Sequence, residues 1–207
     1  MNILFFDTET TGIYNFNLAA SHPSQPHIVQ LAAMLCNEQQ EVLGSFNFIV
    51  NPGVEIPEQA AAVHGITTDK ARDLGVPPQL AMNVFETLLG YATLVAAHNT
   101  KFDVNVMNAA AWKAAMGGDL PWPQSFCTME AAAPIVALPP TERMLAAGYN
   151  KPKPPRLEEC IQHFFGEKLE GAHDAMTDVR ACMRTYFHLK TLAASGPRVS
   201  GEEQDAG

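Results

Sequence analysis

The chain opens on a short apolar run, Asn2 to Phe6 (NILFF), ended by Asp7. Such a run bounded by polar residues predicts a buried central strand, here with a carboxylate at its C-terminal end. Tyr14 to Pro26 is rich in Asn, Ser, Pro and His and reads as a long loop. His27 to Cys36 and Val42 to Val50 predict two strands joined by the polar turn NEQQE, a hairpin beside the first strand, and Asn51-Pro52-Gly53 stops it. Two short helices are then expected, Pro57 to Val63 and Thr68 to Asp73, the second capped by Thr67 or Thr68. Leu80, Val84, Phe85 and Leu88 fall at helical spacing within Pro78 to Leu89. Thr93 to Ala97 gives another strand and Phe102 to Met116 another helix. Trp122 to Thr128 reads as an edge strand. Ala137 to Pro155 is broken by five prolines and predicts an irregular connector with one helical turn at Thr141 to Ala147. Helices over Leu157 to Phe165 and Asp174 to Ala194 close the pattern. The order of elements predicts an α/β fold built on one sheet.

With 207 residues, 47% of them apolar, the chain has the size of one domain with trimmings, expected over 1–194. The stretch from 195 to 207 is Gly-rich and acidic, lacks apolar periodicity, and is expected to be a disordered tail. Cys36, Cys127, Cys160 and Cys182 are scattered, without the spacing of a zinc site, and suit reduced thiols in a cytoplasmic protein. The N-terminus runs straight into acidic residues, unlike a secretory signal, and no apolar run is long enough for a membrane span. The net charge of −9 argues against a protein that coats nucleic acid with clustered Lys and Arg. It leaves room for an enzyme acting on nucleic acid, because divalent cations held by acids reverse the local charge.

Three segments carry the candidate chemistry. Asp7-Thr8-Glu9 places two carboxylates two apart on a strand, hence on one side of it. Alone, such a pair is structural more often than catalytic. Ala97-His98-Asn99 followed by Phe102-Asp103 puts an acid in the first turn of a helix, where the helix dipole alone would favour it. His173-Asp174-Ala175-Met176-Thr177-Asp178 begins the last helix. Its buried face is expected to comprise Met176, Val179, Cys182, Met183, Tyr186 and Phe187, with Asp178 at the border. A surface ion pair with Arg180 or Arg184 is the plain alternative for Asp178.

Together, DTETTG, AHNTKFD and HDAMTD resemble, in order, the motifs of the DEDDh exonucleases, the DnaQ-like family that includes the epsilon proofreading subunit of bacterial replicative polymerase. The resemblance covers residues 1 to 192 and includes Val63-His64-Gly65-Ile66-Thr67, similar to the family's HGIT segment, and Phe126-Cys127-Thr128-Met129, similar to its strand-to-helix step. It implies a ribonuclease-H-like fold with a mixed sheet of about five strands flanked by helices. It also implies a 3′→5′ exonuclease releasing nucleoside 5′-monophosphates, with two Mg²⁺ or Mn²⁺ ions. Phosphodiester hydrolysis by two ions about 3.5–4 Å apart needs oxygen ligands, which four carboxylates supply. By that resemblance Asp7 bridges both ions, Glu9 and Asp178 complete one, Asp103 holds the other, and His173 takes the proton of the attacking water. Thr8, Thr10, Thr11, His64, His98, Asn99 and Phe102 are the candidate substrate contacts, Phe102 through base stacking.

The implied partners are 3′ ends of nucleic acid, DNA ahead of RNA, together with a DNA polymerase or other replication protein, and no membrane. An exoribonuclease would share these motifs. A phosphohydrolase of the haloacid-dehalogenase type would need a second Asp where Glu9 stands. A non-catalytic module binding nucleic-acid ends or a polymerase is the remaining alternative.

Overall fold

The computed structural model describes residues 1–195. Its frame is a five-stranded sheet in the order β3-β2-β1-β4-β5, formed by β1 (Asn2–Thr10), β2 (Ile28–Asn37), β3 (Val42–Ile49), β4 (Leu94–Ala97) and β5 (Gln124–Cys127). The first three strands are antiparallel neighbours, while β4 and β5 join parallel to β1. This is the mixed sheet expected, with β1 at its centre. The helices are α1 (Glu58–His64), α2 (Thr68–Leu74), α3 (Pro78–Leu89), α4 (Thr100–Lys113), α5 (Thr128–Val136), α6 (Glu142–Ala146), α7 (Leu157–Phe165) and α8 (Ala175–Ser195).

Alternation along β1 sends its residues to two cores. Leu4 and Phe6 pack with Met82 and Phe85 of α3 and Val106 and Met107 of α4, and Phe6 meets the Phe85 ring edge-on at 5.3 Å. Ile3 and Phe5 pack against Met176, Val179, Cys182 and Tyr186 of α8, with Phe5 5.4 Å from the Tyr186 ring. Burying each such side chain contributes about 1.5–3 kcal/mol. The buried positions of α8 recur every three or four residues, so one stripe of the helix lies on the sheet. Met183 and Phe187, expected in that stripe, border it as half-buried residues.

Several boundaries differ from the sequence expectations. β1 does not end at Phe6: it runs to Thr10, because Asp7 and Glu9 keep the alternation and still pair with Ala32 and Gln30 of β2. The helix expected from Phe102 begins at Thr100, after Asn99 in the left-handed region at φ 78°, and ends at Lys113, short of Met116. Trp122 lies outside β5. Its indole stacks on Phe6 at 5.5 Å and donates to Asn108 Oδ1 at 2.8 Å, which explains an aromatic residue just before the strand. Helix α5, anticipated only as a strand-to-helix step, runs to Val136 with Pro134 inside it. Ser195 belongs to α8, and the remainder of the expected acidic tail lies outside the described residues. Among those residues no helix is long and apolar enough to cross a membrane.

Candidate active site

The acids converge where β1 outruns its apolar half. Asp7 and Glu9 continue the side of the strand that Ile3 and Phe5 bury against α8, so both face the helix that carries Asp178. Asp103 comes from the first turn of α4. It is buried, and its Oδ1 accepts a 2.8 Å bond from the hydroxyl of Thr8, which points to the opposite side of β1 from Asp7. Asp178 is half-buried one turn into α8. Its Oδ2 accepts the backbone N–H of His173 at 3.1 Å, whereas its Oδ1 is buried without a partner. The surface pairing with Arg180 or Arg184 is not made; Arg184 bonds Glu167 instead.

Electrostatics set these groups apart from ordinary surface acids. Burial raises Asp7 well above the usual carboxylate range, and repulsion from Asp103, Asp178 and Glu9 raises it further. Glu9 is pushed up to about 8 by burial and then by Asp178 and Asp103. Asp103 rises to about 7 through burial, opposed by the Thr8 bonds, and Asp178 to about 6, again through burial, opposed by the His173 N–H. None of the four forms an ion pair with Lys or Arg among the described residues. Carboxylate oxygens in mutual repulsion and an orphaned Asp178 Oδ1 fit a site for hard divalent cations. One ligand atom each from Glu9, His173 and Asp178 lies within 4.8 Å of the other two.

His173 is exposed and held at φ 67°, a left-handed conformation uncommon for a residue with a side chain. Together with Asp7, Asp178, His98 and Asn99 it lines a cleft of about 300 Å³ whose other wall is Pro154 to Glu158. The remaining candidate contacts separate into those that border open space and those engaged inside the protein. Asn99 is exposed at the rim. His64 Nδ1 accepts from Ile66 N at 3.1 Å, so the proton sits on Nε2, which is buried without a partner. His64 lines a second hollow, of about 250 Å³, with Gln30, Asn47 and Asp174. By contrast, the hydroxyl of Thr10 donates to Gly12 O at 2.6 Å and that of Thr11 accepts from His27 N at 3.0 Å, so both shape the turn after β1. His98 lies between the Thr128 hydroxyl and the Pro155 carbonyl, each at 3.0 Å, and so uses both ring nitrogens within the protein. Phe102 is half-buried against the α3 and α4 core.

Two residues went unmarked in the sequence. Gln30, buried within β2, donates to Asp174 Oδ2 at 2.9 Å and to Asn47 Oδ1 at 3.0 Å, while its Oε1 accepts from Ala175 N at 3.3 Å. Asp174 caps α8 by accepting from Thr177 N at 3.0 Å. Burial would raise the Asp174 carboxyl, but the bonds from Gln30 and Thr177 outweigh it and hold the group below its ordinary value. The signal was a single Gln inside the apolar run IVQLAAML, since a polar side chain in a central strand must find a buried partner.

A family model described as exonuclease, of the RNase T type, matches residues 4–186. The chain belongs to the DEDDh, DnaQ-like exonuclease family. A putative bifunctional exonuclease/endonuclease protein of Mycobacterium tuberculosis is 34% identical to this chain over 157 residues, covering 70% of this chain and 22% of that protein. DNA polymerase III subunit epsilon of Rickettsia prowazekii is 30% identical over 106 residues, 51% of this chain and 42% of the relative. The zinc-bound E. coli exonuclease I in complex with single-stranded DNA superposes with a TM-score of 0.72 at 22% identity, covering 94% of this chain and 41% of the other. That likeness shows the ribonuclease-H-like fold. The chain spans less than half the length of each of these proteins.

Proposed function

We propose that the protein is a metal-dependent 3′→5′ exonuclease that removes nucleoside 5′-monophosphates from the 3′ ends of DNA. The observation that carries this reading is the convergence of Asp7, Glu9, Asp103 and Asp178 without a basic partner, with the buried Asp178 Oδ1 unbonded beside His173. Asp7, Glu9, Asp103 and Asp178 would hold the Mg²⁺ or Mn²⁺ ions, Asp7 standing between the pair Glu9 and Asp178 and the separate Asp103 as a ligand that both ions would use. When bound, the ions lower the pKa of water and neutralise charge on the attacking and leaving oxygens. His173 accepts the proton of the attacking water, a task suited to an imidazole near neutral pH. The water oxygen bonds to phosphorus, the P–O3′ bond breaks, and the 3′-oxygen of the shortened strand leaves and takes a proton from solvent water.

The other residues divide the work of positioning. Thr8 aims Asp103 through its hydroxyl, and the His173 N–H aims Asp178. His98 secures the wall of the cleft at Pro155, and Thr10 and Thr11 hold the turn that follows β1. Asn99, exposed at the rim, is the donor for the terminal nucleotide, with Phe102 stacking at its border and His64 lining the separate hollow beside Gln30 and Asp174. Similar proteins named as subunits of DNA polymerase III support DNA as the polymer and a replication protein as partner.

The test is digestion of 5′-labelled single-stranded DNA and RNA of one sequence with Mg²⁺, Mn²⁺ or EDTA, beside Asp7→Asn. A ladder shortening from the 3′ end of the DNA, absent with EDTA and in the variant, is the expected result. Preferential cleavage of RNA would replace the substrate and keep the chemistry; cleavage of neither polymer would overturn the proposal.

A further inference from the structure

The segment 137–156 carries Arg143, Lys151, Lys153 and Arg156 against the single acid Glu142, within a chain of net charge −9. It is an ordered excursion. Its base is closed by Lys153 N donating to Leu138 O at 3.0 Å. Inside it α6 is capped by Thr141 and ended at Gly148, whose φ of 79° lets Tyr149 N return to Met144 O at 2.8 Å. Its exit is fixed twice, by His98 on the Pro155 carbonyl and by Lys153 Nζ on both oxygens of Glu159, at 2.7 and 2.8 Å. Tyr149 nevertheless remains 64% exposed, and the Arg156 side chain, although 70% exposed, is ion-paired with Glu158 at 3.0 Å.

This basic excursion touches the catalytic cleft directly. Pro154, Pro155 and Arg156 line the same cleft as Asp7, His173 and Asp178. Chain length puts Lys151 within about 11 Å of Pro154 and Tyr149 within about 18 Å. The cleft also continues past Glu158 and Leu169, which it shares with an adjoining hollow of about 510 Å³ reaching Val136 and Leu138 at the foot of the excursion. A polymer with its 3′ end at the acids must leave along some wall, and the chain as a whole carries a net charge of −9. Basic side chains alternating with an exposed aromatic ring are the chemistry that tracks a single strand.

Building on the exonuclease reading, we propose that the excursion 137–156 is the binding path for the single strand upstream of the scissile nucleotide. Arg143 and Lys151, which form no ion pair among the described residues, lie against successive phosphates, and a base stacks on Tyr149. Affinity then grows with strand length beyond the nucleotides that fill the acidic cleft, and it depends on salt.

The test compares wild type, Arg143→Glu/Lys151→Glu, Tyr149→Ala, Tyr149→Phe and, as a charge control at the far end of β1, Lys190→Glu. Fluorescence anisotropy gives Kd for a 20-nucleotide single strand in EDTA as salt is raised, and Mg²⁺ turnover gives KM for that strand and for a dinucleotide. In the double charge reversal the 20-mer Kd and KM should rise about tenfold or more, and the slope of log K against log salt should become shallower by about 1.4, as for two lost phosphate contacts. Dinucleotide KM should move less than the 20-mer KM. Tyr149→Ala should weaken the 20-mer about fivefold or more and Tyr149→Phe should restore it. An unchanged 20-mer, an equal loss on both substrates, or an equal loss in Lys190→Glu overturns the proposal. If wild type cleaves neither substrate the exonuclease reading fails, while the anisotropy series still decides whether the excursion binds the strand.

Discussion

The two sides of β1 are built from one strand and put to opposite uses. On the side facing α3 and α4, Leu4 and Phe6 are followed by Thr8 and Thr10, whose hydroxyls bond within the protein, so polarity enters only where a partner meets it. On the side facing α8, Ile3 and Phe5 are followed by Asp7 and Glu9, two carboxylates that burial and their neighbours push upward. The first side is satisfied and rigid. The second stores electrostatic repulsion that a divalent cation would relieve. The buried aromatics of both sides hold the backbone in the register that forces the acids together, so packing offsets the cost of assembling the site.

Changes to the acid side should give the largest effects and separate activity from stability. Asp7→Asn is expected to cut nucleolytic turnover by about a thousandfold or more, measured on 5′-labelled DNA, while the melting temperature of the metal-free protein at pH 8 stays level or rises. A fall in that temperature would contradict stored repulsion. His173→Ala should cost on the order of a hundred- to ten-thousandfold in turnover and leave the melting temperature alone; near-wild-type turnover would remove the histidine from its role. Among the aromatics the readout reverses: Phe6→Ala should lose about 3–5 kcal/mol in chemical denaturation while the folded fraction remains active.

The pH response sharpens the contrast. Carboxyls raised in the folded state bind protons more tightly there than in the unfolded chain, so the metal-free protein should gain stability as pH falls. The gain should run from about 8 for Glu9, through about 7 for Asp103 and about 6 for Asp178, toward the ordinary carboxylate range. Melting curves in EDTA from pH 9 to about 7 read this above the range where His27, His64 and His98, each lowered by burial, work in the opposite sense, and Mg²⁺ should stabilise most at the alkaline end, where the acids are ionised. A melting temperature in EDTA that rises with pH across this window would refute the account. The smallest effect is expected where the two sides communicate. Thr8→Val removes the hydroxyl that lowers Asp103, so the acid limb of the pH-rate profile should move upward, with about a tenfold loss near neutrality; an unmoved limb would mean that Thr8 does not set the titration of Asp103.

The motifs were legible because their geometry is local. Residues two apart on a strand share a side, so DTE already set Asp7 and Glu9 together, whereas the spacing of α8 put Asp178 at the border of a buried stripe and left a surface ion pair open as its alternative. The motif spacing could not show that Thr8 faces Asp103, because the two are 95 residues apart and meet only when α4 packs under β1. Gln30 and Asp174 went unread for the same reason. The Pro-rich connector gave only its single helical turn, since its form rests on contacts with His98 and Glu159 that lie outside its own sequence.

The sequence by itself determined the strand and helix periods that carry Asp7, Glu9, Asp103 and Asp178, because these follow from residue type and near-neighbour spacing, and its three motifs in order carried the resemblance to the family to which the chain belongs. Only the tertiary structure decided which polar groups are engaged inside the protein and which face the cleft. It left Asn99 at the rim, bound His98, Thr8, Thr10 and Thr11 internally, and set a basic excursion beside an acidic site. Hydrogen bonds and burial between distant segments form only once the sheet and its two helical layers have closed, and those contacts fix what each candidate residue is available to do.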